Sequence, residues 1–250
     1  MSEEMRVRHG GAGEPVLLLI HGLGANGDVW NGLEHVLRTR WRGRWTIPDL
    51  PGHGGSHPLS HYSFDALAAA LAPTVASAAR VLVLGHSLGG VVALTLASGR
   101  FGVNVAAACG LGIKVAWTGD ELARARALSA RPNQVYASRA EAAERYLKLA
   151  GLGGLLAPEA VGEAALVRGD GGWSVAFDPA AFAIGAPDMA SLLAASRAQV
   201  MLAAGEHDPM CTHAQLRALV ADPVIVPGLG HNAHVQSPET LWPLLEWLAR

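Results

Sequence analysis

The chain has 250 residues, enough for one large domain with a sizeable buried core. Half of its residues are hydrophobic and 16% are charged, which excludes a disordered chain and indicates a soluble globular protein. A net charge of −2 excludes any general electrostatic attraction to nucleic acid or to an anionic membrane surface.

Strand-like and helix-like segments alternate along the first half of the chain. The run VLLLIH is typical of a strand buried on both faces, because it is short, apolar and bounded by Pro15 and Gly22. In chain order, the patterns predict a strand over 16–21, a helix over 28–41, a short strand within RWTIPDLPGHGG, a helix over 63–79 with Ser63 as a candidate cap, a strand over 80–85, a helix over 87–99 and a strand over 103–112.

The same alternation returns near the carboxyl end, with predicted strands over 198–208 and 223–228 and a terminal helix over 238–250. Such alternation predicts an α/β fold with a mostly parallel sheet of about eight strands and helices on both faces. Between about 114 and 190 the pattern changes to amphipathic helices and one short extended piece. We therefore expect a core formed by 1–113 and 190–250, and a mostly helical cap inserted over 114–189.

One polar residue stands between two of the most apolar segments. In VLVLGHSLGGVVALTLA, Ser87 is flanked by Gly85 and Gly89, in the pattern G-x-S-x-G. A predicted strand ends just before this serine and a predicted helix begins just after it. Ser87 is therefore either a helix cap or a nucleophile on a tight strand-to-helix turn, and the motif alone does not separate these alternatives.

Partners for a serine nucleophile follow the last two predicted strands. GEHD provides Glu206 and Asp208, and GLGHNAHVQSPE provides His231 and His234. A serine hydroxyl needs a base to accept its proton, and that base needs an acid to orient it. Because the carboxyl ends of parallel strands meet in one crevice, these groups are expected to lie close to the serine.

The chain resembles the α/β-hydrolase superfamily over nearly its whole core. The motifs that carry the resemblance occur in the family's order: HGLGANGDVW, DLPGHGGS, GHSLGG, GEHD and GLGHNAHVQSPE. The resemblance implies an α/β-hydrolase fold and a catalytic triad of Ser87, His231 and Asp208. Glu206 is the alternative acid and Asp120 a more remote one.

The resemblance also implies supporting groups around this triad. The backbone N–H groups of Leu23 and Leu88 would form an oxyanion hole, with His21 and His86 as structural histidines. Trp30 and Trp117 are candidates for the substrate pocket, although a tryptophan on such a helix is more often part of the core. No cofactor and no metal are needed for this chemistry.

The implied function is hydrolysis of a small to medium, fairly apolar carboxylic ester through an acyl-enzyme. The same triad also serves lactone, thioester and carbon–carbon bond hydrolysis, perhydrolysis and acyl transfer, and the motifs do not choose among these reactions. An alternative of another class is a ligand receptor built on the same fold. The expected partner is a small ester-like molecule, whereas the oligomeric state is unknown.

Five other features favour structural roles or the absence of a special site. The basic segment RTRWRGRW could form a nucleic-acid strip but is more typical of a helix end, and His53, His57 and His61 lack a helix that would place them as metal ligands. The amino terminus MSEEMRVRHG lacks an apolar secretory core, and no segment is apolar enough to span a membrane. With only Cys109 and Cys211, the sequence predicts a reduced, cytoplasmic protein with two free thiols.

Overall fold

A seven-stranded sheet forms the centre of the structure, a computed structural model that describes residues 5–250. Residues 1–4 of the amino-terminal stretch interpreted above lie outside the described residues. In chain order the strands of the described part are β1 Val7–Gly11, β2 Val16–Ile20, β3 Arg44–Pro48, β4 Val81–His86, β5 Val105–Leu111, β6 Leu166–Gly169, β7 Gly172–Val175, β8 Gln199–Gly205 and β9 Val224–Val226.

The main sheet has the order β1-β3-β2-β4-β5-β8-β9. Its neighbouring strands run parallel, except that β1 pairs with β3 in the antiparallel direction. This arrangement confirms the α/β class and the mostly parallel sheet, with seven strands where about eight were expected. All residues of β2 and β4 are buried, which explains why both segments are apolar without alternation.

Nine α-helices accompany these strands in residues 5–250. They are α1 Asn31–Arg40, α2 Phe64–Leu71, α3 Leu88–Ala97, α4 Gly119–Ser129, α5 Arg139–Leu149, α6 Met189–Ala195, α7 His213–Arg217, α8 Ala233–Gln236 and α9 Trp242–Ala249. The Ser63 hydroxyl accepts a hydrogen bond from the Ala66 N–H at 3.0 Å, so the expected cap of α2 is present. This helix is shorter than predicted: after Leu71 the chain continues as a 3₁₀ turn that contains Pro73.

The segment between β5 and β8 contains α4, α5, α6 and the separate antiparallel hairpin of β6 and β7. Three contacts tie it to the loop that follows β3. The Tyr62 hydroxyl donates to Asp178 at 2.7 Å, the Gly54 N–H donates to the Ala176 carbonyl at 2.8 Å, and His53 forms a β-bridge with Phe177. The division of the chain into a core and a cap over 114–189 stays a prediction.

The basic segment that begins in the last turn of α1 packs against the protein itself. Arg38 pairs with Glu34 at 3.0 Å, and the Arg40 guanidinium lies 4.0 Å from the ring centre of Trp242. Trp45 is buried. These contacts give the segment a structural role, as the simpler alternative predicted.

His53 is buried, whereas His57 and His61 are exposed, so these three histidines do not face one another. Within residues 5–250, no group of three or more His, Cys, Asp or Glu side chains is arranged to hold a metal ion. Cys109 and Cys211 are both buried and unpaired in this part of the chain. Among the helices of the described range, none has the length and apolar character needed to cross a bilayer.

Candidate active site

Ser87 occupies the turn between β4 and α3 in a backbone conformation that is rare for residues with a side chain. Its φ is 51° and its ψ is −116°, and it is the one non-glycine residue with positive φ in residues 5–250. The Ser87 N–H donates to the Leu111 carbonyl at 2.8 Å, which ties the turn to β5. The serine side chain makes no capping hydrogen bond to α3, so the helix-cap alternative is wrong.

The glycines of the GHSLG segment permit this turn because backbone atoms crowd both positions. A Cβ on Gly85 would lie 2.1 Å from the Gly89 carbonyl oxygen, and a Cβ on Gly89 would lie 2.3 Å from the Ile20 carbonyl oxygen. Such distances leave no room for a methyl group. The spacing of the motif is thus explained by the close packing of β2, β4 and the start of α3.

The strain at Ser87 predicts a measurable gain in stability on substitution. Because glycine adopts positive φ without a Cβ penalty, Ser87→Gly is expected to be about 1 kcal/mol more stable than Ser87→Ala. Thermal unfolding of the two variants makes the comparison, with an expected Tm difference of roughly 2–4 °C. Both variants lose the hydroxyl, so they differ mainly in backbone preference. A glycine variant that melts at or below the alanine variant would contradict the strained turn.

His231 and Asp208 form a close pair after the last two strands of the sheet. The His231 Nδ1 lies 3.0 Å from Asp208 Oδ2 and 3.1 Å from Oδ1. The Asp208 side chain is fully buried, and its Oδ1 also accepts the Met210 N–H at 2.8 Å. Gly112 lies against this pair, since a Cβ there would be 3.0 Å from Asp208 Oδ2. A fixed carboxylate at Nδ1 leaves Nε2 as the free nitrogen of the imidazole.

The two alternative acids lie elsewhere. Glu206 is exposed and accepts the Gly228 N–H at 2.8 Å. Asp120 is exposed in the first turn of α4. Of the three predicted acids, Asp208 is therefore the one that contacts His231.

Leu23 and Leu88 border the same cavity as Ser87. Neither N–H donates to another backbone group within residues 5–250. His21 holds the loop before Leu23: its Nδ1–H donates to the Gly22 carbonyl at 2.8 Å, and its Nε2 accepts the Leu50 N–H at 2.8 Å. The fully buried His21 ring thus has a structural role, as expected from the sequence.

Two further histidines form a buried aromatic group beneath the site. The His86 Nε2–H donates to the His231 carbonyl at 2.9 Å, and the His86 ring centre lies 4.3 Å from that of His234. Burial, and then His234, holds the pKa of His86 well below its usual value. Burial, reinforced by His231, lowers the pKa of His234 to about 3. Within the described chain neither ring nitrogen of His234 has a hydrogen-bond partner, so it does not resemble a base.

A cavity of about 550 Å³ opens above Ser87 and His231. Its surface is mostly apolar, and Trp117 borders it as expected. Trp30 does not border it: this side chain is fully buried in the core, with its ring centre 4.5 Å from that of His234. The expectation of a pocket role for Trp30 is therefore corrected by its burial.

The carboxyl end of α5 closes one side of the cavity and was not identified from the sequence. The Asn232 Nδ2 donates to the Gly151 carbonyl at 2.8 Å, next to His231. Leu149 packs on Gly24, where a Cβ would lie 2.6 Å from Leu149 Cγ. Asn232 stands within the GLGHNAHVQSPE motif, whereas the α5 residues belong to no motif. Charged side chains also border the cavity, namely Lys114, Glu121, Arg124 and Lys148.

Comparison with known proteins shows a full-length likeness to enzymes. A 2-succinyl-6-hydroxy-2,4-cyclohexadiene-1-carboxylate synthase of Shigella dysenteriae is 30% identical over 246 residues, 93% of each chain. The crystal structure of E-2-(acetamidomethylene)succinate hydrolase superposes with a TM-score of 0.79 at 27% identity, covering 98% of this chain and 95% of that one. An uncharacterized protein of Mycobacterium bovis is 43% identical over 86 residues, but the chain matches only 25% of its length.

A family model described as alpha/beta hydrolase family matches residues 17–243. This range contains Ser87, Asp208 and His231, and it covers the segment between β5 and β8 and all of the main sheet except β1 and the first residue of β2. The strand order and the turn at Ser87 agree with the resemblance drawn from the motifs. The chain therefore belongs to the alpha/beta hydrolase family.

Proposed function

We propose that the protein is a serine-dependent hydrolase of small to medium carboxylic esters, with Ser87, His231 and Asp208 as its catalytic triad. Family membership indicates a hydrolase that acts on small molecules. The observation that carries the finer proposal is the strained Ser87 turn, which opens into the same cavity as a histidine paired with a buried aspartate. Backbone strain held at one half-buried serine beside a cavity is typical of a functional site.

In the proposed reaction, Ser87 Oγ attacks the ester carbonyl carbon while His231 Nε2 accepts the hydroxyl proton. The Asp208 carboxylate holds Nδ1–H and stabilises the imidazolium that forms. Collapse of the tetrahedral intermediate breaks the bond to the alcohol oxygen, which leaves with the proton from His231. Water then attacks the acyl-serine with His231 again as the base, and releases the carboxylic acid and Ser87.

The amides of Leu23 and Leu88 are proposed to donate to the carbonyl oxygen as it becomes negative. Two features support this role: both residues border the cavity, and both N–H groups lack a backbone partner in the described chain. Loss of one such donor typically costs ~3 kcal/mol of transition-state stabilisation. The hydrogen bonds of His21 to Gly22 and Leu50 would keep the Leu23 amide in position.

The test is hydrolysis of p-nitrophenyl esters from acetate to decanoate, with wild type beside Ser87→Ala. Multiple turnovers by wild type and a loss of about 10⁴-fold or more in the variant are expected for a serine nucleophile. The best chain length measures how much of the cavity of about 550 Å³ the acyl chain uses. A folded wild type without turnover on any ester would overturn the ester proposal, and an active Ser87→Ala variant would overturn the role of Ser87.

A second candidate is the reaction of the synthase that the chain resembles over 93% of its length. The specific observation in its favour is that the alignment extends across the whole fold rather than one motif. Incubation with the substrate of that synthase, followed by mass detection of 2-succinyl-6-hydroxy-2,4-cyclohexadiene-1-carboxylate, tests this candidate. Product from wild type but not from Ser87→Ala would favour it over ester hydrolysis if the ester panel gives little turnover.

A further inference from the structure

The cavity above Ser87 has an unusual balance of charge. Among the side chains that border it are three cationic ones, from Lys114, Arg124 and Lys148, and one carboxylate, from Glu121. The chain as a whole has a net charge of −2, so the excess of positive charge is a local property. The remaining surface of the cavity is mostly apolar, so the cations contrast with their surroundings.

Glu121 neutralises one of the three cations. The Lys114 ammonium lies 2.5 Å from the Glu121 carboxylate; the lysine side chain is 16% exposed and the glutamate side chain 37%, so the pair is compact and open to solvent on the glutamate side. The hydrogen bond from Lys114 is the largest cause that lowers the pKa of Glu121 to about 2, which keeps the carboxylate charged. A satisfied pair of this kind has little remaining attraction for a ligand.

Arg124 and Lys148 have no such partner. Neither side chain takes part in an ion pair within residues 5–250, and both are exposed at the outer edge of the cavity. Arg124 lies on α4, beside the stripe of Leu122, Ala125 and Leu128 that borders the cavity. Two free cations at the edge of an apolar space suit a ligand with an apolar body and one anionic end.

The backbone that carries Lys148 is anchored near the reacting groups by its neighbours in the chain. Lys148 stands one residue before Leu149, which packs on Gly24 in the loop of the Leu23 amide. Three residues after it, the Gly151 carbonyl accepts a hydrogen bond from Asn232, the neighbour of His231. Because α5 ends against both loops, the backbone of its last turn is held beside the site, and the exposed Lys148 side chain extends from it at the outer edge of the cavity.

We propose that the substrate is an ester that carries a carboxylate, and that Arg124 and Lys148 bind this carboxylate at the outer edge of the cavity. The proposal rests on the proposed function and names its substrate class. The two residues are positioning residues that determine specificity, since the bond that breaks lies at Ser87. Their charge also draws anionic esters toward the opening, an effect that added salt weakens.

The test compares esters of matched shape with and without a carboxylate. One series pairs p-nitrophenyl monoesters of succinate, glutarate and adipate with p-nitrophenyl pentanoate, hexanoate and heptanoate. A second pairs 4-acetoxybenzoate with phenyl acetate, to place the carboxylate on the alcohol side. The readout is the ratio of kcat/KM for the anionic ester to that for its neutral partner, in wild type, Arg124→Gln and Lys148→Gln. The intrinsic reactivity of each ester is the same for wild type and both variants, so it cancels when their ratios are compared.

Each substitution is expected to lower the ratio by about 5- to 20-fold in at least one series, as for loss of a charge-assisted contact. Added NaCl should lower the ratio in wild type and do so less in the variants. Arg126→Gln is the matched control, because Arg126 is an exposed arginine of α4 that does not border the cavity. A control that lowers the ratio equally would assign the effect to general charge and overturn the proposal.

The outcomes separate this inference from the proposed function. Turnover of neutral esters by wild type, with a ratio that neither variant changes in either series, would retain the ester hydrolase and overturn the carboxylate site. The exposed arginine and lysine would then be ordinary solvated side chains. Absence of turnover on both anionic and neutral esters, with the protein folded, would overturn the proposed function itself.

Discussion

Asp208→Asn is expected to lower kcat/KM for the best ester by about 10³- to 10⁴-fold while the protein stays folded. The carboxylate lies 3.0 Å from His231 Nδ1, where in the proposed reaction it would fix the proton on that nitrogen and offset the imidazolium charge. An amide in its place can present N–H to Nδ1, which favours the tautomer with its proton on Nε2. That tautomer cannot accept a proton from Ser87. Steady-state kinetics with a p-nitrophenyl ester measures the loss.

Glu206→Gln is the matched control, because it removes a carboxylate from the same loop and the same G-E-x-D pattern. The Glu206 carboxylate accepts the Gly228 N–H rather than contacting His231, so kcat/KM is expected to stay within about threefold of wild type. The assignment of the acid would be reversed if Glu206→Gln lost activity and Asp208→Asn retained it. Circular dichroism of both variants shows whether the fold is intact.

Much of the fold was predictable because buried strands have a recognisable apolar pattern in the sequence. The segments of β2 and β4 are continuous apolar runs, since both faces of a central parallel strand are covered. β1 was not identified, because its residues are only partly buried and include Arg8 and His9. Its place at the antiparallel edge depends on pairing with β3, which is set by contacts distant in sequence.

The strained turn at Ser87 was predictable in place because its signal in the sequence is local. Two glycines at fixed spacing, between an apolar strand and a helix, indicate a backbone crossing that excludes a side chain. The choice between Asp208 and Glu206 was not local. Both follow the same strand, and the contact with His231 is made only by the loop conformation around Asp208.

The core position of Trp30 and the charged edge of the cavity were both missed by the sequence analysis. A helix-flanking tryptophan can face a pocket or the core, and here its contact with His234 lies in the core. Arg124 and Lys148 belong to amphipathic helices whose exposed face looks like any solvated face. Only the packing of α4 and α5 over Ser87 gives these cations a cavity to border.

Acid is expected to destabilise the protein strongly, because the folded protein buries several histidines in their uncharged form. Burial, and then His21, lowers the pKa of His53 to about 3, and burial lowers that of His234 to about 3 as well. Burial is also the main cause that lowers the pKa of His21 and His86. Below pH 6.5 the unfolded chain binds protons at these positions that the folded protein does not bind, and for His53 and His234 this difference persists down to about pH 3. The free energy of unfolding must therefore fall as the pH drops through this window.

For each histidine with a pKa near 3, the free energy of unfolding is expected to be about 2 kcal/mol lower at pH 5 than at pH 7.5. His53 and His234 together would remove a large part of the stability of a typical domain. Urea unfolding at pH 7.5, 6.0 and 5.0 measures how the free energy of unfolding depends on pH. His234→Phe should reduce this dependence by the equivalent of close to one bound proton, while it keeps the aromatic contact with Trp30. His35→Gln, which removes an exposed histidine of α1, is the control for losing a histidine. An equal slope in wild type and His234→Phe would show that His234 is protonated in the folded protein, against its lack of any partner.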